Sequence, residues 1–178
     1  MFDPKQHHEN SSLRESIIEH LFVGEALRLL WRRGIVDAEI LRSEFDAFGY
    51  DLVISRGSIV RHVQLKSGRD LSYVTASLYL SSKPSGCIVF IEIDDELALK
   101  AFRFFGGLPG EPLPDMSEFK VAIRPTHNSQ GVRPRRTMHR TITKKCFGPP
   151  MTLEELLEQL LGSDLSRGPD NAKSRKDI

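Results

Sequence analysis

Apolar positions in the first third of the chain recur at helical spacing and then switch to alternation. Between Leu13 and Arg33 the residues Ile18, Leu21, Phe22 and Leu29 gather on one side of a helical wheel, which predicts an amphipathic helix followed by a turn at Gly34. Glu25 falls in the middle of that stripe, so it is expected to face the sheet. Glu15 and Glu19 lie farther round, and Ser12-Leu13-Arg14-Glu15 reads as a capping box. Two short apolar runs follow, Phe48-Gly49-Tyr50-Asp51-Leu52-Val53 and Val63-Gln64-Leu65-Lys66. The turn signal Arg56-Gly57-Ser58 between them predicts a β-hairpin. Period-2 alternation points Gln64 and Lys66 to one face, with His62 beside them and Leu65 opposite, and the first run delivers Asp51 near the mouth of that face.

Downstream, Leu71 to Leu80 reads as a further strand. Cys87-Ile88-Val89-Phe90-Ile91-Glu92-Ile93 is nearly continuous in apolar residues, the signature of a strand buried on both faces. Leu97 to Phe105 carries Lys100 and Arg103 within an apolar series and suits an outer strand before the Gly106-Gly107-Leu108-Pro109-Gly110 loop. Met151-Thr152-Leu153-Glu154-Glu155 opens a helix with a Thr/Glu capping box and a Met151 to Leu156 staple. It ends near Leu161, before Gly162. The fold class is therefore α/β, with a mixed central sheet flanked by helices and an N-terminal helix preceding the hairpin.

A chain of 178 residues with 39% apolar content sustains one core of ordinary size. The expected organisation is a flexible stretch over 1–11, a single domain over 12–162 and a polar, disordered tail over 163–178. No apolar leader stands at the N-terminus, and no run approaches the roughly 18 apolar residues of a membrane span, so a soluble, cytoplasmic protein is expected. Cys87 and Cys146 offer neither a disulfide framework nor metal-site spacing. His7-His8 has no further ligand nearby, and Asp46 suits a turn cap better than a metal ligand.

Asp51, Gln64 and Lys66 bring a carboxylate, an amide oxygen and an ammonium onto adjoining strands. Hard divalent cations prefer oxygen donors, which Asp51 and Gln64 supply, while a neighbouring lysine positions a nucleophile and offsets charge on a phosphorane-like transition state. The order Glu25, Gly34, Tyr50-Asp51, Gln64-Leu65-Lys66 resembles the PD-(D/E)XK nuclease superfamily, with the proline absent and glutamine in the acidic place. The resemblance covers Leu13 to about Asp94. It implies a restriction-endonuclease-like core and Mg²⁺-dependent phosphodiester cleavage, with Mn²⁺ as a substitute. The implied site is Glu25, Asp51, Gln64 and Lys66, the metal held by Asp51 and Gln64 with Glu25 ligating it or holding a coordinated water. It also implies DNA more than RNA as substrate, and an arrangement as a homodimer.

Charge supports a nucleic-acid partner. Between Ile123 and Lys145 the ionisable residues other than histidine are Arg124, Arg133, Arg135, Arg136, Arg140, Lys144 and Lys145, without Asp or Glu. That segment carries +7 in a chain of net +1, so the remainder carries −6. Such a concentration, shaped by Pro125, Gly131 and Pro134 into a loop, attracts a phosphate backbone. Two other readings compete: an inactive nuclease-fold module that binds nucleic acid or a protein, and an interaction domain whose arginines meet an acidic partner.

Overall fold

A computed structural model describes residues 10–45 and 48–166. The expectations attached to His7-His8, to Asp46 and to the chain beyond 166 lie outside the described residues. Helix α1 (Ser11–Arg32) buries Ile18, Phe22, Ala26 and Leu30, one residue every four. Leu21 is 41% exposed and turns outward. The buried stripe is thus rotated away from the one the wheel predicts, and its N-terminal continuation carries Glu15 and Glu19. Asn10 occupies the N-cap without a side-chain capping hydrogen bond, and Ser12 already lies inside the helix, so the Ser12/Glu15 capping box does not form.

Strands β1 (Ala38–Arg42), β2 (Leu52–Arg56) and β3 (Ile59–Gly68) form an antiparallel meander. Arg56 pairs with Ile59, which leaves a two-residue loop whose first residue, Gly57, has φ 57°. That conformation favours glycine, and the loop holds the register predicted for the hairpin. Leu71 to Leu80 does not form one strand. Strand β4 (Tyr73–Ser77) stops where the Ser77 side chain accepts a hydrogen bond from the Tyr79 N–H and starts the short helix α2 (Leu78–Ser81). Strand β5 (Gly86–Ile93) then pairs parallel to β3, and β6 (Leu99–Gly106) pairs antiparallel to β5. The five-stranded mixed sheet has the order β1-β2-β3-β5-β6, which puts the strand with Lys100 and Arg103 at an edge.

A second sheet, of three strands, has the order β4-β8-β7, where β7 spans Val121–Ile123 and β8 spans Arg135–Thr143. The basic segment is therefore a loop over 124–134 that continues into a strand, which carries Arg135, Arg136 and Arg140. Ile142 on β8 is fully buried, and that alternate burial pins the strand to the body despite its arginines. Helix α3 (Leu153–Leu161) begins with the predicted capping box, Thr152 and Glu155 bonding reciprocally, and stops at Gly162 with φ 88°. Ser163–Ser166 is a 3-10 turn with Leu165 only 4% exposed, so ordered chain runs past the expected boundary at 163.

Two apolar cores lie on the two faces of the central sheet. One joins α1 and α3 to Leu52, Ile54, Val63, Val89 and Ile91. The other joins Ile88, Phe90 and Phe105 to Val74, Ala76 and Ile142 of the second sheet. Strand β5 feeds both, which explains its continuous apolar run. Cys87 is fully buried in it, and burial pushes its thiol up to about 12, leaving it inert as a nucleophile. Among the described residues no helix is long and apolar enough to cross a membrane.

Arg61 is fully buried on β3 and meets no carboxylate among its hydrogen-bond partners. Its guanidinium donates to Ser85 Oγ at 2.9 Å, to the carbonyls of Leu108 at 3.0 Å and Gly107 at 2.9 Å, and to Gln159 at the end of α3 at 3.4 Å. It lies over the Phe104 ring at 5.3 Å. One side chain thus ties the central strand to the loop after β6 and to the negative end of a helix dipole. Arg61→Ala is expected to cost about 3 kcal/mol or more, because hydrogen bonds to a charged group are lost and buried acceptors are stranded. Thermal unfolding should shift down by roughly 6–12 °C for a chain of this size; a shift below about 2 °C would contradict the clamp.

Candidate active site

Asp51 stands just before β2, at the point where the β2–β3 ladder gives out. Its N–H donates to the Val63 carbonyl at 2.9 Å and its carbonyl accepts from the Ser43 N–H at 2.8 Å. The carboxylate turns along the sheet, and Oδ2 accepts from the Leu65 N–H at 2.6 Å. That bond covers a strand amide beyond the last β2 pairing partner and fixes the carboxylate beside Lys66. Gly49, with φ 73°, makes this placement possible: a Cβ there would meet the Ser77 Cβ at 2.6 Å, so only glycine lets the approach to Asp51 press against β4.

A cavity of about 360 Å³ opens at this end of the sheet, lined among others by Glu15, Glu19, Arg42, Asp51, Lys66 and Ser67. Glu15 and Glu19 are one helical turn apart on α1 and face the same space. Glu19 is ion-paired with Arg42, while Glu15 is exposed. Glu25 is not brought here. It pairs with Arg28 on the helix surface at 2.5 Å, and it lies six residues beyond Glu19, about 9 Å along the axis. The helix carboxylates at the cavity are Glu15 and Glu19, and their signal in the sequence was the four-residue spacing of Ile18, Phe22, Ala26 and Leu30.

Gln64 is 5% exposed and lines a different cavity, of about 280 Å³, together with Gly49, Lys66, Tyr79, Arg136 and His139. Its carbonyl oxygen is buried and meets no hydrogen-bond donor. The structure therefore brings Lys66 together with Asp51 on one side and with Gln64 on the other. It does not bring Asp51 and Gln64 into one cavity, because the Asp51 carboxylate turns to the Leu65 amide.

Among the described residues no group of three or more His, Cys, Asp and Glu side chains is gathered to hold a metal ion. Mg²⁺, however, keeps several waters and takes one or two carboxylates plus substrate phosphates. The first cavity is lined by carboxylates that would meet so small a demand, Asp51 and Glu15, beside the Lys66 side chain. Gln64 does not belong to that set.

The basic residues divide by environment. Arg136 lines the Gln64 cavity, with its guanidinium 2.7 Å from His139 Nε2. Arg140 donates to the carbonyls of Thr137 and His139, and Lys144 pairs with Asp70 at 3.1 Å. Arg124, Arg133, Arg135 and Lys145 are exposed and form no ion pair among the described residues. Tyr79 and His139, which border the Gln64 cavity, carry no motif-level signal: the fold of the second sheet assembles them.

His62 sits edge-on to Tyr50, with ring centroids 4.9 Å apart, while Lys83 lies 4.4 Å over Phe48 and 5.3 Å over Tyr50. Burial, and then the nearby Lys83 ammonium, hold the imidazole below its ordinary 6.5. As pH falls through that value the unfolded chain takes up the proton first, so folding stability declines on acidification and the loss levels off below the folded value. An NMR titration should give a His62 pKa below 6.5 that rises in Lys83→Ala yet stays depressed, since burial is the larger cause. A His62 that titrates at or above 6.5 would contradict the site's electrostatics. The chain matches no known protein-family model and no curated protein.

Proposed function

We propose that the chain is a metal-dependent endonuclease-like hydrolase of the PD-(D/E)XK type, cleaving phosphodiester bonds of nucleic acid. The carrying observation is the single cavity that Glu15, Glu19, Asp51 and Lys66 share. The order of elements supports the same reading: an N-terminal helix, then a hairpin that carries the motif, within a mixed sheet. DNA is the favoured substrate because most enzymes of the resembling superfamily act on it.

In this reading Asp51 and Glu15 would hold Mg²⁺, and the Glu19–Arg42 ion pair ties α1 to the end of β1 beside them. When bound, the ion polarises the phosphate and lowers the pKa of the attacking water. Lys66, on the part of β3 that pairs with β5, positions the nucleophile and offsets charge that develops on the phosphate. The Asp51 carboxylate, locked by the Leu65 amide, spends no reorganisation when substrate arrives. The exposed arginines near and on β8 hold the backbone of the strand through charge that no carboxylate cancels. Glu25 and Gln64 leave the metal set, and the two carboxylates of α1 replace the charge that glutamine lacks.

One observation favours a second reading. The Asp51 carboxylate serves as a structural acceptor, and Gln64 opens on another cavity, as expected of an inactive fold that retains nucleic-acid binding. Nicking of supercoiled plasmid separates the two. Wild type should nick with Mg²⁺ or Mn²⁺ and stop with chelator, Asp51→Ala and Lys66→Ala should lose about 100-fold or more, and Glu25→Ala should match wild type. Glu15→Ala should fall between them. Nicking that survives in the Asp51 and Lys66 variants contradicts the site, and no nicking beside salt-dependent DNA binding selects the inactive module.

A further inference from the structure

The Gln64 cavity lies on the far side of Lys66 from Asp51, and its chemistry differs from that of the metal cavity. No carboxylate lines it among the described residues; Lys66 and Arg136 give it positive charge, and Thr75, Ser77 and Tyr79 give it hydroxyls. Tyr79, also in the lining, is 48% exposed. Gln64 lines the cavity with only 5% of its surface exposed, and its carbonyl oxygen is buried without a donor. Buried polar atoms of native proteins nearly always find partners, and a turn of the Gln64 side chain toward the cavity brings this orphan to a donor from outside the chain. At about 280 Å³ the space is near the low end of small-ligand pockets, roughly 300–1,000 Å³, and admits one nucleotide-sized group but no duplex.

We infer that this cavity takes one unpaired nucleotide of the bound strand, its base stacked on Tyr79 and met by the Gln64 amide, its phosphate between Lys66 and Arg136. The inference rests on the proposed phosphodiester cleavage at Asp51 and Lys66, and it deepens that reading by naming the substrate: nucleic acid with an unpaired or extruded base beside the scissile phosphate. Lys66 makes the connection, because it lines both cavities. A nucleotide seated on one side of it leaves the adjoining phosphate at the carboxylates on the other. A glutamine amide presents an acceptor and a donor together, the pairing that suits the amino group and ring nitrogen of adenine. Arg136 beside His139, 2.7 Å apart, offers a second cation to the phosphate. A base that is already unpaired avoids the unstacking cost of extrusion, so such strands bind best.

Fluorescence anisotropy of the full chain in chelator measures this without turnover. The probes are a labelled duplex with one unpaired adenine, the same duplex fully paired, and the same duplex with an abasic residue at that place. Wild type should bind the unpaired adenine roughly 5- to 150-fold more tightly than either control, the range of a single base–aromatic stack. Tyr79→Ala and Gln64→Leu should remove that preference, and Tyr79→Phe should keep it. Equal affinity of wild type for the three probes overturns the inference, as does a preference that persists in both Tyr79→Ala and Gln64→Leu. Competition by free deoxyadenosine monophosphate at the oligonucleotide's own concentration assigns the cavity to a free nucleotide and overturns the strand reading. Plasmid nicking without the adenine preference sinks this inference alone, adenine preference without nicking sinks the hydrolase alone, and neither nicking nor binding of any probe sinks both.

Discussion

Strand β3 is hydrogen-bonded on both sides, antiparallel to β2 and parallel to β5, and it carries Arg61, Val63, Gln64 and Lys66 in succession. The parallel pairing, from His62 with Gly86 to Gly68 with Glu92, is the constraint on which the rest of the molecule hangs. A parallel pair cannot be joined by a hairpin, so the chain between the two strands must leave the sheet and return. Here that excursion lays down β4 and α2, and β4 becomes the edge on which β8 builds the second sheet. Gly86 records how tightly the excursion closes: a Cβ there would meet the Leu80 carbonyl oxygen at 2.5 Å.

The same pairing divides the space around β3. On one side α1 and α3 cover Val63 and leave Glu15 and Glu19 opposite Asp51 and Lys66. On the other, the second sheet encloses Gln64 with Arg136 and His139. Lys66 lies toward the end of β3, where both coverings thin out, and its flexible stem lets one ammonium border both cavities. Carboxylates are confined to the first cavity, where Arg42 and Lys66 accompany them, whereas the charged side chains that line the second are all cationic or imidazole.

Much of this was legible in the sequence, and the failures have causes. The hairpin was legible because Gly57 and period-2 alternation act within a few residues, and β5 because a strand buried on both faces must be apolar throughout. Helix α3 announced itself through Thr152 and Glu155. The face of α1 was misjudged because Leu21 is apolar yet exposed, and including it rotated the apparent stripe toward Glu25. Strand β8 was hidden by its arginines: its partner β4 lies some sixty residues earlier, and no local pattern reports such a pairing. Strand β4 was overextended because Leu78 and Leu80 look like strand continuation, whereas the Ser77 hydroxyl caps a helical turn. Asp51 and Lys66, singled out by residue type and spacing, do line one cavity. That Gln64 opens elsewhere depends on the second sheet, whose distant strands β4 and β8 line the cavity around it.

The central claim is that a divalent cation binds between α1 and the end of β3, at Asp51. Paramagnetic broadening of assigned backbone amide signals by Mn²⁺ tests it without substrate or turnover. The account predicts that at low Mn²⁺ the signals of Glu15, Glu19, Asp51, Leu65 and Lys66 vanish first, that those around Glu25 persist, and that Asp51→Ala abolishes the pattern. Broadening centred on Glu25, or spread over exposed carboxylates such as Asp95 and Glu118 with no preference for this cavity, would contradict it.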